Sequence, residues 1–424
     1  MRHRSAGFRA NITTAFLAMA VALGAATAAS PGSAASMNEA PGTKITVDPA
    51  SLPAPYATDA ASNAPEAVAR PSPPPFLLPA GFKVDLFAGG LDRPRWLAVA
   101  PDGAVLVAES AGRKVLRLFD RDGDGKAEDR RVLAHNYHGP FGLAVREGQL
   151  YVADTDGVWR QPYKPDETGP ASRGTRITPE GAFGPGHGHW TRNLLFSPDG
   201  TRFFVAIGSA SNAGPDPLPR ASVQSFAADG SDQRTYASGL RNPVGMAFYP
   251  GTNDLYTVVN ERDGLGDGLV PDYLTRLQEG GFYGWPYFYV GDRPQPDLPA
   301  PAGVSADKVI HPDLLFRAHS APLGLVFYEG VQFPPAYRGD AFVALHGSWN
   351  ASQPQGYMVV RVPFANGRPA GWYEPFLTGF WREGTSRPKV WGRPVGLAIA
   401  SDGSLLVADD LGGAIWRVSW VGTP

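Results

Sequence analysis

The sequence predicts an all-β fold, a six-bladed β-propeller, on three observations. One strand-turn-strand unit recurs in six copies between Arg93 and Val418. Gly and Pro are both abundant, 51 and 42 of 424 residues, which favours many short strands and tight turns over helices. The copies differ mainly in loop length, as repeats stacked about an axis do. A unit of this size cannot hide its apolar face alone, so neighbouring sheets must cover one another.

Each copy runs Pro-x-Gly-Leu-Ala or similar, then a turn such as Pro-Asp-Gly, an alternating apolar strand and a polar turn. In order they are RPRWLAVAPDGAVLVAESAGRKVLRLF (93–119), GPFGLAVREGQLYVADTDGVW (139–159), HWTRNLLFSPDGTRFFVAIGS (189–209), RNPVGMAFYPGTNDLYTVVN (241–260), APLGLVFYEGVQFPPAYRGDAFVALH (321–346) and RPVGLAIASDGSLLVADDLGGAIWRV (393–418). Asp199–Gly200 and Asp402–Gly403 are turn chemistry within them. Upstream, GFKVDLF (81–87) reads as a strand expected to pair with 414–420, closing the ring and removing an open edge. The longest insertion, 264–320, carries GGFYGWPYFYV (280–290) and is expected to cap the blade tops.

Three segments are expected: a signal peptide (1–30), a Pro/Ala-rich linker (31–75) and the propeller domain (76–424). Arg2, His3, Arg4 and Arg9 precede an Ala-rich apolar run, 15–29, ending in small residues, as an export signal does. That run is short and Ala-rich for a spanning helix, and no Cys follows it to carry a lipid. A periplasmic mature chain without a membrane span is the expectation. A net charge of −2 gives no basic stripe for nucleic acid. The absence of Cys excludes disulfides, zinc ribbons, covalently attached c-type haem and a thiol nucleophile.

The turn before each inner strand of a propeller faces the central mouth, so residues heading the repeats converge there. These heads carry His138, His189, Arg241 with Asn242, His319 with Ser320, and Arg393. An imidazole among several cations suits a general base beside an anion site. A turn-rich loop, NERDGLGD (260–267), follows the fourth copy.

HWTRNLLFSPDG (189–200), RNPVGMAF (241–248), NERDGLGD, YGWP (283–286) and SAPLG (320–324) together resemble the soluble pyrroloquinoline-quinone-dependent glucose/sorbosone dehydrogenase family, most of all its sorbosone dehydrogenase-like branch. The resemblance spans 78–420. It implies His189 as the base that takes the hydroxyl proton while hydride passes to the quinone, and an imidazole's ordinary pKa suits that role. It also implies Arg241, Asn242, His319, Ser320 and Arg393 as cofactor contacts, and planar guanidinium forks match a tricarboxylate. A calcium ion would be held by the main-chain carbonyls of Glu261 and Arg262, as oxygen ligation of a hard cation requires. The substrate would be an aldose or a sorbosone-like aldehyde, and electrons would leave to an external acceptor.

The chain departs from the glucose-oxidising members at three places. Gly188 stands where they place an Asp before the base, HGSWN (346–350) where they supply a Lys, and Val395 where they have a second Arg. The first bears on sugar specificity, the others on cofactor binding, with Lys389 or Arg387 as candidates for the lost charge. Asp120, Asp122 and Asp124, followed by Gly125, resemble the first half of a calcium loop, yet position twelve is Arg131. A structural calcium and a solvated turn both remain open there. Two other functions use the same architecture. One is a calcium-dependent sugar lactonase, which would want side-chain carboxylates and Asn about the metal; the other is a non-catalytic binding propeller with apolar rim patches.

Overall fold

The computed structural model describes residues 39–165 and 171–422; the expected signal peptide lies outside them. Among the described residues the chain is all-β, with only three short 3₁₀ turns, and no helix is long and apolar enough to cross a membrane. Six sheets of four or five strands account for most of it. Each of the six begins on a repeat: Pro94–Val99, Leu143–Arg146, Arg192–Phe196, Asn242–Phe248, Pro322–Phe327 and Pro394–Ile399. In each, the next two strands follow antiparallel in sequence order, as short polar turns permit.

Alternation along the second strand of each sheet explains how the sheets pack. Leu106 and Ala108 of Val105–Glu109 face Leu150 and Val152 of the second sheet. Val105 and Val107 face Leu406 and Ala408 of the sixth. The same division continues through Tyr151 and Ala153 against Phe203 and Val205, Phe204 and Ala206 against Leu255 and Val259, Tyr256 and Val258 against Ala341 and Val343, and Phe342 and Ala344 against Leu405 and Val407. The cycle of packing returns to its start.

Glycine at the third position of the repeat allows the first strands to approach closely. A Cβ on Gly324 would lie 2.2 Å from the Val395 carbonyl, and one on Gly396 would lie 2.7 Å from that of Arg95. Phe82–Ala88 pairs antiparallel with Ala414–Trp420, Phe82 opposite Trp420, so the chain's first long strand completes the last sheet.

Two segments differ from expectation. The insertion 264–320, expected as a cap, supplies strands: Pro271–Arg276 and Leu314–Ala318 are the outer strands of the fourth sheet, and Gly281–Phe282 joins the third. The described part of the Pro/Ala-rich stretch, 39–75, lies along the sheets. Ile45 is buried and bridges Tyr373, Glu66–Ala67 pairs with Lys389–Val390, and Asn63 Nδ2 donates to the carbonyls of Ala351 (2.9 Å) and Thr385 (2.8 Å). Its backbone groups find partners in loops distant in sequence, which hydrophobic periodicity does not register.

Candidate active site

The heads of the repeats are set by a recurring carboxylate clasp. An acid at the end of the second strand accepts backbone N–H groups from the head of its own sheet. Asp409 accepts from Arg393 N at 2.8 Å and Gly412 N at 2.8 Å. Asp154 accepts from His138 N at 3.0 Å, and Glu109 from Asp92 N at 2.7 Å. In the fourth sheet Asp272 spans two elements, taking Glu261 N and Ala321 N, both at 2.8 Å. Ala-Asp/Glu-x-x-Gly at 108–112, 153–157 and 408–412 is the sequence signal for the first three.

These clasps help to gather His189, Arg241, Asn242, His319 and Arg393 around one cavity of about 430 Å³. Glu261, Asp263, Asp272, Arg95 and His346 also line it. His189 has a fixed tautomer. Its Nδ1 lies 2.8 Å from the Ser209 carbonyl, which can only accept, so Nδ1 carries the proton and Nε2 the lone pair. The His189 carbonyl is in turn held by Arg192 Nη1 (2.9 Å) and Arg220 Nη2 (3.1 Å). Burial, with the Arg241 charge second, pushes the imidazole down to about 4. It is therefore a neutral proton acceptor at neutral pH.

Arg241 is buried and anchored through all three of its guanidinium nitrogens. Nε donates to the Asn212 carbonyl (3.0 Å), Nη2 to Asn212 Oδ1 (2.9 Å) and Nη1 to the Glu261 carbonyl (2.7 Å). Arg393 donates from Nε to the His346 carbonyl (2.9 Å) and from Nη2 to that of Gly347 (2.6 Å). His319 donates from Nε2 to the Gly266 carbonyl at 3.1 Å. Burial lowers its pKa, but Asp263 and that carbonyl outweigh burial and the net direction is up.

The buried carboxylates complete the electrostatics. Burial raises Glu261 to about 7, against the pull of Arg241, and Asp272 to about 6, against two backbone N–H groups. That donor set, all oxygen, fits a hard divalent ion. Asn242 Oδ1 is buried without a hydrogen-bond partner, which fits a ligand with donors to offer.

The remaining expected residues lie elsewhere. Ser320 is buried, but its Oγ donates to the Arg317 carbonyl (2.8 Å) and it does not line the cavity. The Arg262 side chain pairs with Gln295 Oε1 at 2.8 Å. His138 is exposed and bonded to Asp156 at 2.5 Å. Lys389 pairs with Glu383 at 2.9 Å, and neither it nor Arg387 reaches the cavity. Arg95, from the first repeat, is the cation present there instead. It is ion-paired to Asp410, whose other oxygen meets His346 Nε2 at 3.0 Å. Asp120, Asp122, Asp124 and Glu128 cluster on an exposed loop away from the cavity, their carboxylates already accepting backbone N–H groups such as those of Gly123 and Gly125.

A family model described as TrAA12-like matches residues 76–270 and 302–421. The chain is 28% identical over 356 residues to an uncharacterized protein of Borreliella burgdorferi, covering 80% of this chain and 90% of that one. It is 26% identical over 413 residues to the pyrroloquinoline quinone-dependent pyranose dehydrogenase of Coprinopsis cinerea, covering 81% of this chain and 54% of that enzyme. The chain thus spans about half the length of the Coprinopsis enzyme. Among solved structures, the calcium structure of the Trichoderma reesei family AA12 enzyme superposes with a TM-score of 0.71 at 22% identity, over 84% of this chain and 99% of that one. The holo quinone domain of the Coprinopsis enzyme gives 0.67 at 22%, over 84% and 99%. The PQQ-bound aldose sugar dehydrogenase of Streptomyces coelicolor gives 0.55 at 19%, over 81% and 99%. The resemblance to quinone-dependent sugar dehydrogenases read from the motifs is borne out.

Proposed function

The chain belongs to the TrAA12-like family, and from that premise we propose that it is a PQQ- and calcium-dependent dehydrogenase of aldoses or sorbosone-like aldehydes. In this reading the six sheets are blades of a six-bladed propeller, and the chain is exported to the periplasm by its N-terminal segment. The observation that carries the chemistry is the fixed tautomer of His189 in a cavity shared with Arg241 and Arg393.

The quinone, when bound, supplies the hydride acceptor, and calcium beside it the Lewis acid. The chain's own residues do the rest. Nε2 of neutral His189 takes the substrate hydroxyl proton. Arg241 and Arg393 bind carboxylates of the cofactor, with Asn242 and His319 beside them. The Glu261 and Arg262 carbonyls, with the carboxylates around them, hold the cation. An external acceptor removes the electrons.

The test is to load the mature chain with PQQ and calcium and to follow dye reduction over a panel of aldoses and aldehydes. His189→Ala should lower kcat by about 10²–10⁴ while quinone binding persists. A loaded protein that reduces no dye with any of them would overturn the reading. The carboxylates Glu261, Asp263 and Asp272, with Asn260 and Asn350 in the same cavity, favour a sugar lactonase as the second reading. Lactone hydrolysis with calcium and without quinone would identify it.

A further inference from the structure

A second cavity, of about 530 Å³, adjoins the first, and Arg95, Trp190 and Arg393 line both. Its remaining wall includes Arg93, Ser110 and Asp410. Three guanidinium groups therefore face one carboxylate. That carboxylate is already committed, since Asp410 is ion-paired to Arg95 and hydrogen-bonded to His346 at 3.0 Å. Arg393 is anchored by Nε and Nη2 to two main-chain carbonyls and is assigned above to the cofactor. Arg93 is different: it is exposed on the rim, with no hydrogen-bond or ion-pair partner among the described residues.

The uncharged lining offers little to the hydroxyl pattern of a neutral sugar. Ser110 spends its hydroxyl on the Pro140 carbonyl at 2.6 Å. Trp190, half-buried and next in sequence to the proposed base His189, offers an indole surface to a sugar ring, with Arg95 5.2 Å from its ring centre. A ring against Trp190 shares its cavity with the Arg93 guanidinium, and Trp190, Arg95 and Arg393 continue from it into the cavity that His189 lines.

We propose that this adjoining cavity is the substrate subsite and that the substrate is an anionic sugar, one carrying a carboxylate or phosphate that Arg93 receives. The assignment rests on the dehydrogenase reading above and adds the substrate class to it. A guanidinium fork accepts either anion through paired, charge-assisted hydrogen bonds.

The experiment is calorimetric titration of the calcium- and PQQ-loaded chain with galacturonate, glucose 6-phosphate, galactose and glucose, alongside dye-reduction kinetics with the same sugars. One anionic sugar should bind at least about tenfold tighter than its neutral counterpart, as one charge-assisted pair allows, and increasing salt should erode that margin. Arg93→Gln should remove the margin and Arg93→Glu reverse it. Galacturonate or the phosphate ester as the tighter ligand tells which anion is read. Equal or tighter binding of the neutral sugars, or a margin that survives Arg93→Gln, would overturn the proposal. Binding is read apart from turnover, so an anion preference without dye reduction would count against the dehydrogenase reading alone.

Discussion

Nη1 of Arg241 lies 2.7 Å from the main-chain oxygen of Glu261, so the proposed quinone-binding cation and a proposed calcium ligand are hydrogen-bonded to each other. The same guanidinium holds Asn212 through two further bonds. Lysine keeps the charge but cannot reproduce the fork. Arg241→Lys should therefore weaken quinone binding at least about tenfold, the scale of one charge-assisted bond, and lower the thermal midpoint. Quinone titration and a melting curve check both.

The buried imidazole of His189 predicts acid sensitivity of a definite sign. In the folded chain it titrates near 4 rather than at its ordinary 6.5, so the unfolded chain binds more protons between those values. Its contribution to stability is complete above about pH 6.5 and is lost as pH falls towards about 4, up to about 3 kcal/mol in all. Denaturant unfolding of wild type and His189→Gln should show curves that converge across that window. Histidine-selective NMR of the apo chain should place the His189 titration below pH 5, and Arg241→Gln should move it upward by removing a neighbouring charge.

Much of the candidate site was legible because the residues lining its cavity stand at repeat heads. His189, Arg241, Asn242, His319 and Arg393 each stand at or beside the start of a first strand, and stacking sheets brings such positions to one end. Arg95, His346 and Asp410 were not legible as a group, because their link crosses from the first sheet to the fifth and sixth. Asp272 was hidden inside an apparent insertion whose strands are separated by an aromatic loop, so no short-range pattern joined them. The stretch 39–75 shows no periodicity because its order comes from partners such as Tyr373 and Thr385.

Asp272 ties Glu261 to Ala321 through two backbone N–H groups. Asn in its place would present an amide N–H towards one of those donors, leaving a buried group unpaired. Asp272→Asn should destabilise the chain by about 1–3 kcal/mol. It should also shrink the rise in thermal midpoint that millimolar calcium gives the wild type, since a ligand that binds only the folded state raises stability with its affinity. Melting curves with calcium and with a chelator measure both effects.

Gly396 tests the cycle of packing directly. Its Cα faces the first strand of the first sheet, where an added Cβ would lie 2.7 Å from the Arg95 carbonyl and 3.0 Å from the Trp96 Cα. Both contacts are backbone, so no side-chain rotation can relieve them, and the two sheets must separate. Gly396→Ala should cost about 1–3 kcal/mol, the range for overpacking in a close-packed interface. Arg95 would shift with its strand, so the Asp410 pair and the wall shared by the two cavities should loosen as well. The same substitution at Gly148, whose added Cβ meets nothing within 4 Å but whose φ is 68°, is the control: backbone strain without a clash, about 1 kcal/mol. If Gly396→Ala melts no earlier than Gly148→Ala, the sixth and first sheets are not packed as described.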